Sequence, residues 1–370
     1  MSDGFEYQFP AIRGVQAQRE YYVSMCPMRL LPRLFQFDED ELAPELRAQR
    51  QLNRARIPEL SRYITENVDD YVFSAITVSI DADIAFKPVA GEGEENRIGI
   101  LKIPMSARFI INDGQHRRAA IDDALRNNPE LGDETIAVVF FIDKGLERCQ
   151  QMFADLNRYA IRPSPSLSIL YDYRDETAAL VKSLIGSSDI FRDVVELEKT
   201  SLAPRSRRLF TLSAIYHATN ELLMGVSERS PEDAARLALE FWEAVAEQMG
   251  DWNRVRHGEL TAGEVRKDFI HTHGVVLQAL ARTGRALISR YPKGWKREIA
   301  GLKTMDWRRA NSKMWEGRAL VGGQLSKAHQ NITLTANAIK THLGLELSEE
   351  EQRVEDAFNR GTNGIQKASA

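Results

Sequence analysis

The stretch Phe109–Ile121, FIINDGQHRRAAI, decides how the rest of the chain is read, because it compresses a strand, a sharp turn and a helix start into one short segment. Phe109, Ile110 and Ile111 are apolar, which predicts the end of a strand covered on both faces. Asn112 and Asp113 suit turn or N-cap geometry, and Gly114 allows positive φ or a close backbone approach. From Gln115 the spacing Ala119, Ala120, Ile121, Ala124, Leu125 is helical until Asn127-Asn128-Pro129 stops it. A helix entered this way has unpaired N–H groups at the positive end of its dipole, which favours an anion. His116, Arg117 and Arg118 carry the opposite sign to what capping alone favours in a first turn, and arginine can hold two phosphate oxygens at once. Asp113, Gly114, Gln115, His116, Arg117 and Arg118 therefore form a candidate phosphate or nucleotide site. Two other readings stand beside it: Asp113 as a plain N-cap with arginines on a solvated face, and Asp113 or His116 as a catalytic acid or base.

The phrase IINDGQHRRAAI resembles the signature of the DGQHR-domain family, a branch of the ParB/sulfiredoxin-like group. QMFADLNRYAIRPSPSL at 151–167, SLAPRSRRLFTLSAIYHA at 201–218 and MDWRRANSKMWEGRAL at 305–320 resemble further blocks of that family, so the likeness covers most of the chain. It implies a ParB/sulfiredoxin-like α/β (α+β) N-terminal domain and a DNA-binding regulator, a transcriptional repressor, of the bacterial DNA phosphorothioate (sulfur) modification system. Its partner would be double-stranded promoter DNA. The resemblance also implies that the 151–167 block sits beside the DGQHR turn, giving Asn157 a polar role next to the phosphate; an Asn C-cap is the alternative. The related ParB fold implies a competing class, a nucleotide-dependent enzyme using the turn, either an NTP hydrolase or a DNA-cleaving protein, with ATP or CTP and Mg2+ as cofactors. Other phosphorothioate-modification proteins and a second copy of the chain stay open as partners.

At 370 residues, 43 % hydrophobic and 28 % charged, the composition suits a globular protein of one large or two smaller domains. The formal net charge of −4 announces no nucleic-acid binding, so any DNA contact must come from local basic faces. Cys26 and Cys149 are too few for a disulfide framework and have no metal-ligand spacing, which suits a reducing cytoplasm. No stretch has the length and apolarity of a membrane span, and the expected location is cytoplasmic. No P-loop, dinucleotide fingerprint or nucleophile-elbow motif occurs, and His271-Thr272-His273 lacks the spacing of a zinc site.

Along the chain, Tyr21–Cys26 reads as a short strand that Pro27 demotes or ends, with Cys26 at its close either a buried thiol or a redox-sensitive position. Leu42–Arg56 reads as a helix with Arg47, Arg50 and Arg54 on one face, a solvated surface or a DNA-phosphate contact. YVFSAITVSI at 71–80 is the clearest strand, and the polar loop at 91–96 joins two more into a hairpin. Thr135–Ile142 is a further strand, and strand, helix, strand in that order suggests a βαβ-like unit. Arg162-Pro163-Ser164-Pro165 breaks regular structure, which divides the chain into 1–165 and a mostly α-helical 166–370 without a convincing strand. In that half Arg205, Arg207 and Arg208 enter a helix among serines, a candidate DNA contact. Trp295, Trp307 and Trp315 lie among lysines and arginines, as core anchors or as a stacking surface for nucleic acid.

Overall fold

The computed structural model describes residues 5–35, 53–91, 93–144, 148–158, 163–225 and 230–368, with the backbone alone at 157–158 and 362–368. Two compact units divide at Ile161/Arg162.

The first unit is built on a seven-stranded mixed sheet in the order β4-β5-β1-β2-β7-β3-β6. Its strands are β1 (Glu6–Gln16), β2 (Arg19–Pro27), β3 (Ile76–Asp81), β4 (Ala85–Pro88), β5 (Ile98–Pro104), β6 (Arg108–Asp113) and β7 (Thr135–Ile142). Its longer helices among the described residues are α1 (Ile57–Glu66), α2 (Gln115–Asn127) and α3 (Cys149–Arg158). The β1–β2 hairpin turns at Ala17 and Gln18, both at positive φ (49° and 62°), the geometry a tight hairpin of this kind requires. β3 is buried on both faces, with Ile76, Val78, Ser79 and Ile80 all fully covered, as a central strand of apolar and small residues should be.

Two expectations are corrected here. The strand expected over 71–80 begins only at Ile76. Before it, Tyr71 donates its hydroxyl to Glu134 and the Val72 N–H donates to Tyr63 Oη at 2.9 Å, so side chains take the bonds a ladder would need. The strand–helix–strand run β6–α2–β7 is not a βαβ unit: β3 lies between β6 and β7, antiparallel to the first and parallel to the second, so β6 and β7 run oppositely.

The second unit is helical. Its longer helices are α4 (Pro165–Tyr171), α5 (Glu176–Ser187), α6 (Leu212–Leu223), α7 (Pro231–Gln248), α8 (Gly250–Arg256), α9 (Ala262–Asp268), α10 (Gly274–Arg290), α11 (His329–His342) and α12 (Glu349–Ala368). α10 is the centre. Apolar or small over most of its surface, with Gln278, Arg282 and Arg285 along one side, it packs against α6 and α11, and the Phe241 ring of α7 fills the space where a side chain on Gly284 would stand. Trp295, Trp307 and Trp315 are buried, the last two stacked with centroids 5.5 Å apart, so their rings anchor the core. Two short ladders also form, Val195–Glu196 with Phe210–Thr211 and Leu320–Val321 with Gln324–Leu325, where the sequence offers no strand signal. No helix among the described residues is long and apolar enough to cross a membrane.

Candidate functional site

The DGQHR turn lies at the carboxyl end of β6, an edge strand of the sheet. Gly114 is the N-cap of α2 at φ 102°, and a Cβ there would stand 3.0 Å from Ile76 Cγ1 and 3.2 Å from Ile76 Cα. Glycine is thus required twice, for the left-handed backbone and for the approach of β3. Behind the turn Asn112 is fully buried and donates to Ser79 Oγ at 2.8 Å, and Gln115, also buried, donates to the Ile111 carbonyl at 3.3 Å. Arg117 folds back over the turn: its Nη2 donates to Asp113 Oδ2 at 2.8 Å and to the Ala75 carbonyl at 2.9 Å. Arg118 donates to the Pro32 carbonyl at 3.2 Å and faces Asp122 at 3.5 Å, and burial pulls its guanidinium below the usual arginine range. His116 Nε2 accepts the Asn53 N–H at 3.1 Å; burial, then Arg56 and Arg117, lower its pKa and favour the neutral ring.

These bonds change the expected picture of the turn. A cationic cradle open to an outside oxygen needs its charged donors unengaged, whereas Arg117 and Arg118 commit terminal nitrogens to the chain's own carbonyls and carboxylates, while their buried Nε atoms have no partner among the described residues, and the lowered pKa of His116 favours its neutral ring. Asp113 is the partner of Arg117 and stays half exposed. α3, which ends at Asn157 and Arg158, lies against β6, so residues 151–158 of the 151–167 block neighbour the turn's strand; the Asn157 side chain lies outside the described residues. Arg47 and Arg50 also fall outside them, while Arg54 is exposed on a short 3-10 turn ahead of α1. Cys26 is wholly buried on β2, and burial pushes its thiol up to about 12. A thiol held protonated and out of contact with solvent is a packing residue and lacks the exposed thiolate that a redox-sensitive position needs.

A different region gathers unengaged cations. In the helical unit a cavity of about 1200 Å³ lies between the 200–207 loop, α9, the start of α10 and Lys327. Arg205, Arg207, Arg266, Lys267 and Lys327 line it against one carboxylate, Glu264. That carboxylate is engaged, since it closes a capping box with Thr261 at the start of α9. Arg205, Arg207, Lys267 and Lys327 are exposed and have no ion-pair partner among the described residues. The third expected DNA-contacting arginine, Arg208, departs from the cluster and donates to the Asp193 carbonyl.

Arg266 explains how the loop is held. Its Nε donates to the Ala262 carbonyl at 3.1 Å, and its Nη2 donates to the carbonyls of Ala203, Pro204 and Ser206 at 2.9, 3.1 and 3.2 Å. Pro204 O would lie 2.3 Å from a Cβ on Gly263, so only glycine lets α9 come this close. Next to it, His273 Nε2 bonds the Arg266 carbonyl at 2.9 Å, and burial, with Arg309, His271 and Arg266 nearby, lowers the His273 pKa to about 4. His271 is a core histidine whose Nδ1 accepts the Trp252 indole N–H at 2.9 Å.

The sequence profile of the DndB family, described as DNA-sulfur modification-associated, matches residues 9–346. The chain belongs to the DndB family. No curated protein and no solved structure matches it. The DndB match embraces both the DGQHR turn and the cationic cavity, so family membership alone does not choose between them. Within this DndB-family chain, sequence reading reached Arg205 and Arg207 but missed Arg266, Lys267, Thr272 and Lys327. One local trace was present: α10 starts after His271-Thr272-His273 with neither a capping side chain nor an acid in its first turn, as α2 and α11 also do. Lys327 carries no such local mark, because it joins the cavity from more than fifty positions further on.

Proposed function

We propose that this DndB-family chain, associated with DNA sulfur modification, is a DNA-binding regulator, a transcriptional repressor of the phosphorothioate-modification genes. On this reading it works in the cytoplasm on promoter duplex DNA. The observation that carries the proposal is the rim of the helical-unit cavity, where Arg205, Arg207 and Lys267 are exposed together without carboxylate partners among the described residues, on a chain of net charge −4. Clustered unpaired cations of this kind grip backbone phosphates by releasing counterions, which gives affinity and orientation but no sequence choice. The mixed-sheet unit is taken as ParB/sulfiredoxin-like, supported by the DGQHR turn between β6 and α2. Its role in the proposal is to hold β3, β6 and α2 together through Arg117, and the enzyme alternative finds weaker support there because the turn's arginines are engaged.

The test is fluorescence anisotropy with labelled duplex carrying the chain's own promoter, titrated between about 50 and about 200 mM salt. Binding whose logarithm falls steeply and linearly with log salt is expected, with no nucleotide added. Failure to bind any duplex at the lowest salt overturns the regulator reading and leaves a protein-interaction subunit.

A further inference from the structure

We propose that the floor of the helical-unit cavity seats the phosphoryl group of a nucleoside phosphate, beneath the rim assigned above to DNA; the proposal goes beyond that reading and relies on it only for this division of labour. Three observations converge on the floor. The 17-residue helix α10 starts there without a capping side chain, and the N–H groups of Gly274 and Val275 find no acceptor among the described residues. Thr272, 4 % exposed, lines the cavity with its Oγ1 unpartnered among the described residues. Arg266, 8 % exposed, lines it too, and its Nη1 has no acceptor although its other nitrogens are fully used. Buried donors are almost always matched in folded proteins, so two unmatched ones beside an uncapped helix start mark a place for an oxyanion. Lys327 completes it, reaching over α10 so that a Cβ on Gly274 would stand 3.8 Å from its Nζ.

The shape of the cavity selects the rest of the ligand. Leu202, Leu209, Val255 and Leu260 are apolar walls beside these donors, which suits a base and sugar. About 1200 Å³ is ample for a nucleotide-sized molecule. A phosphodiester within a duplex is flanked by backbone on both sides and meets the rim first, whereas a terminal phosphate can go to the floor. His273 is kept neutral first by burial, with Arg309, His271 and Arg266 adding to the effect.

The experiment uses the full chain in calorimetry and thermal-shift titrations with inorganic phosphate, ATP and CTP, with and without Mg2+. Saturable binding is expected, tighter for a nucleotide than for phosphate. It should weaken about tenfold or more in Thr272→Val, a near-isosteric change that removes the hydroxyl, and in Lys327→Gln, and stay unchanged in His116→Ala. No saturable binding to the native chain, binding indifferent to both variants, or binding lost in His116→Ala instead, overturns the proposal. Duplex affinity measured in parallel separates the two readings. Thr272→Val should leave it intact; a loss of DNA affinity in step with Arg205→Ala/Arg207→Ala gives the seat to the DNA backbone and ends the nucleotide assignment. Absence of any DNA binding would remove the regulator reading while leaving the nucleotide result standing.

Discussion

The Gly114 turn of the mixed-sheet unit and the 201–208 loop of the helical unit read alike in one dimension, each placing arginines at the entry to a helix. In three dimensions Arg117 and Arg118 turn inward, whereas Arg205 and Arg207 remain exposed, with no ion pair among the described residues. The difference lies in the supply of acceptors. Arg117 has Asp113 four residues before it and the unladdered Ala75 carbonyl across the turn, and Arg118 has Asp122 four residues after it. In the loop Arg205 and Arg207 make no ion pair among the described residues, since Glu264 of the same cavity is held in its capping box, and the carbonyls of Ala203, Pro204 and Ser206 are already taken by Arg266. A guanidinium bonds the nearest unmet oxygen. A cluster becomes a binding surface when its own chain leaves it none.

The largest expected effect tests the electrostatics of the second region. A base whose folded pKa lies below its ordinary value binds its proton more readily once unfolded, so stability falls as pH drops below that ordinary value. For His273 the fall begins near 6.5 and levels off near 4, amounting to roughly 3 kcal/mol. Hydrogen exchange resolved by segment should therefore show α9 and α10 losing protection between these pH values. Unaltered protection there would mean that burial does not hold His273 neutral in the folded unit.

Next in size is the DNA comparison itself. Arg205→Ala/Arg207→Ala should weaken duplex binding roughly 10- to 100-fold at low salt and reduce the slope of log affinity against log salt by about 2. Arg117→Ala should do neither. Its effect is on stability, about 2 kcal/mol in a denaturant titration, since Asp113 and the Ala75 carbonyl lose their shared donor. If Arg117→Ala instead flattened the salt dependence with stability unchanged, the two regions would have to exchange roles.

How much of this was legible beforehand depends on whether the determining partner is near in sequence. β6, Gly114 and α2 were readable because a β-branched run, a glycine and a helical period sit side by side, and β7 announced itself as an apolar run. The β1–β2 hairpin was half hidden because Ala17-Gln18 occupies positive φ without the Asn-Gly that usually marks such a turn. The direction of β7 against β6 was not legible, since it is decided by β3 slipping between them from thirty residues upstream. The fate of the arginines was the least readable, for it turns on the Ala75 and Pro32 carbonyls in one unit and on Arg266 in the other.

The smallest expected effect is also the one that cuts most cleanly between regulator and enzyme. His116 Nε2 accepts the Asn53 N–H, so in the neutral ring the proton sits on Nδ1, and protonating Nε2 would break that bond. The pKa lowered by burial and by Arg56 and Arg117 keeps the ring neutral at physiological pH, where it adds no positive charge for a phosphate to feel. His116→Ala thus removes one partly exposed hydrogen bond, a loss of about 1 kcal/mol or less, and should leave duplex affinity as it was. A nucleotide hydrolase or nuclease working at the turn would respond otherwise, because loss of an acid or base typically costs about 10²- to 10⁴-fold in rate. Turnover of ATP or CTP by the native chain that disappears in His116→Ala, with stability barely moved, would make the inward-facing arginines a scaffold for catalysis.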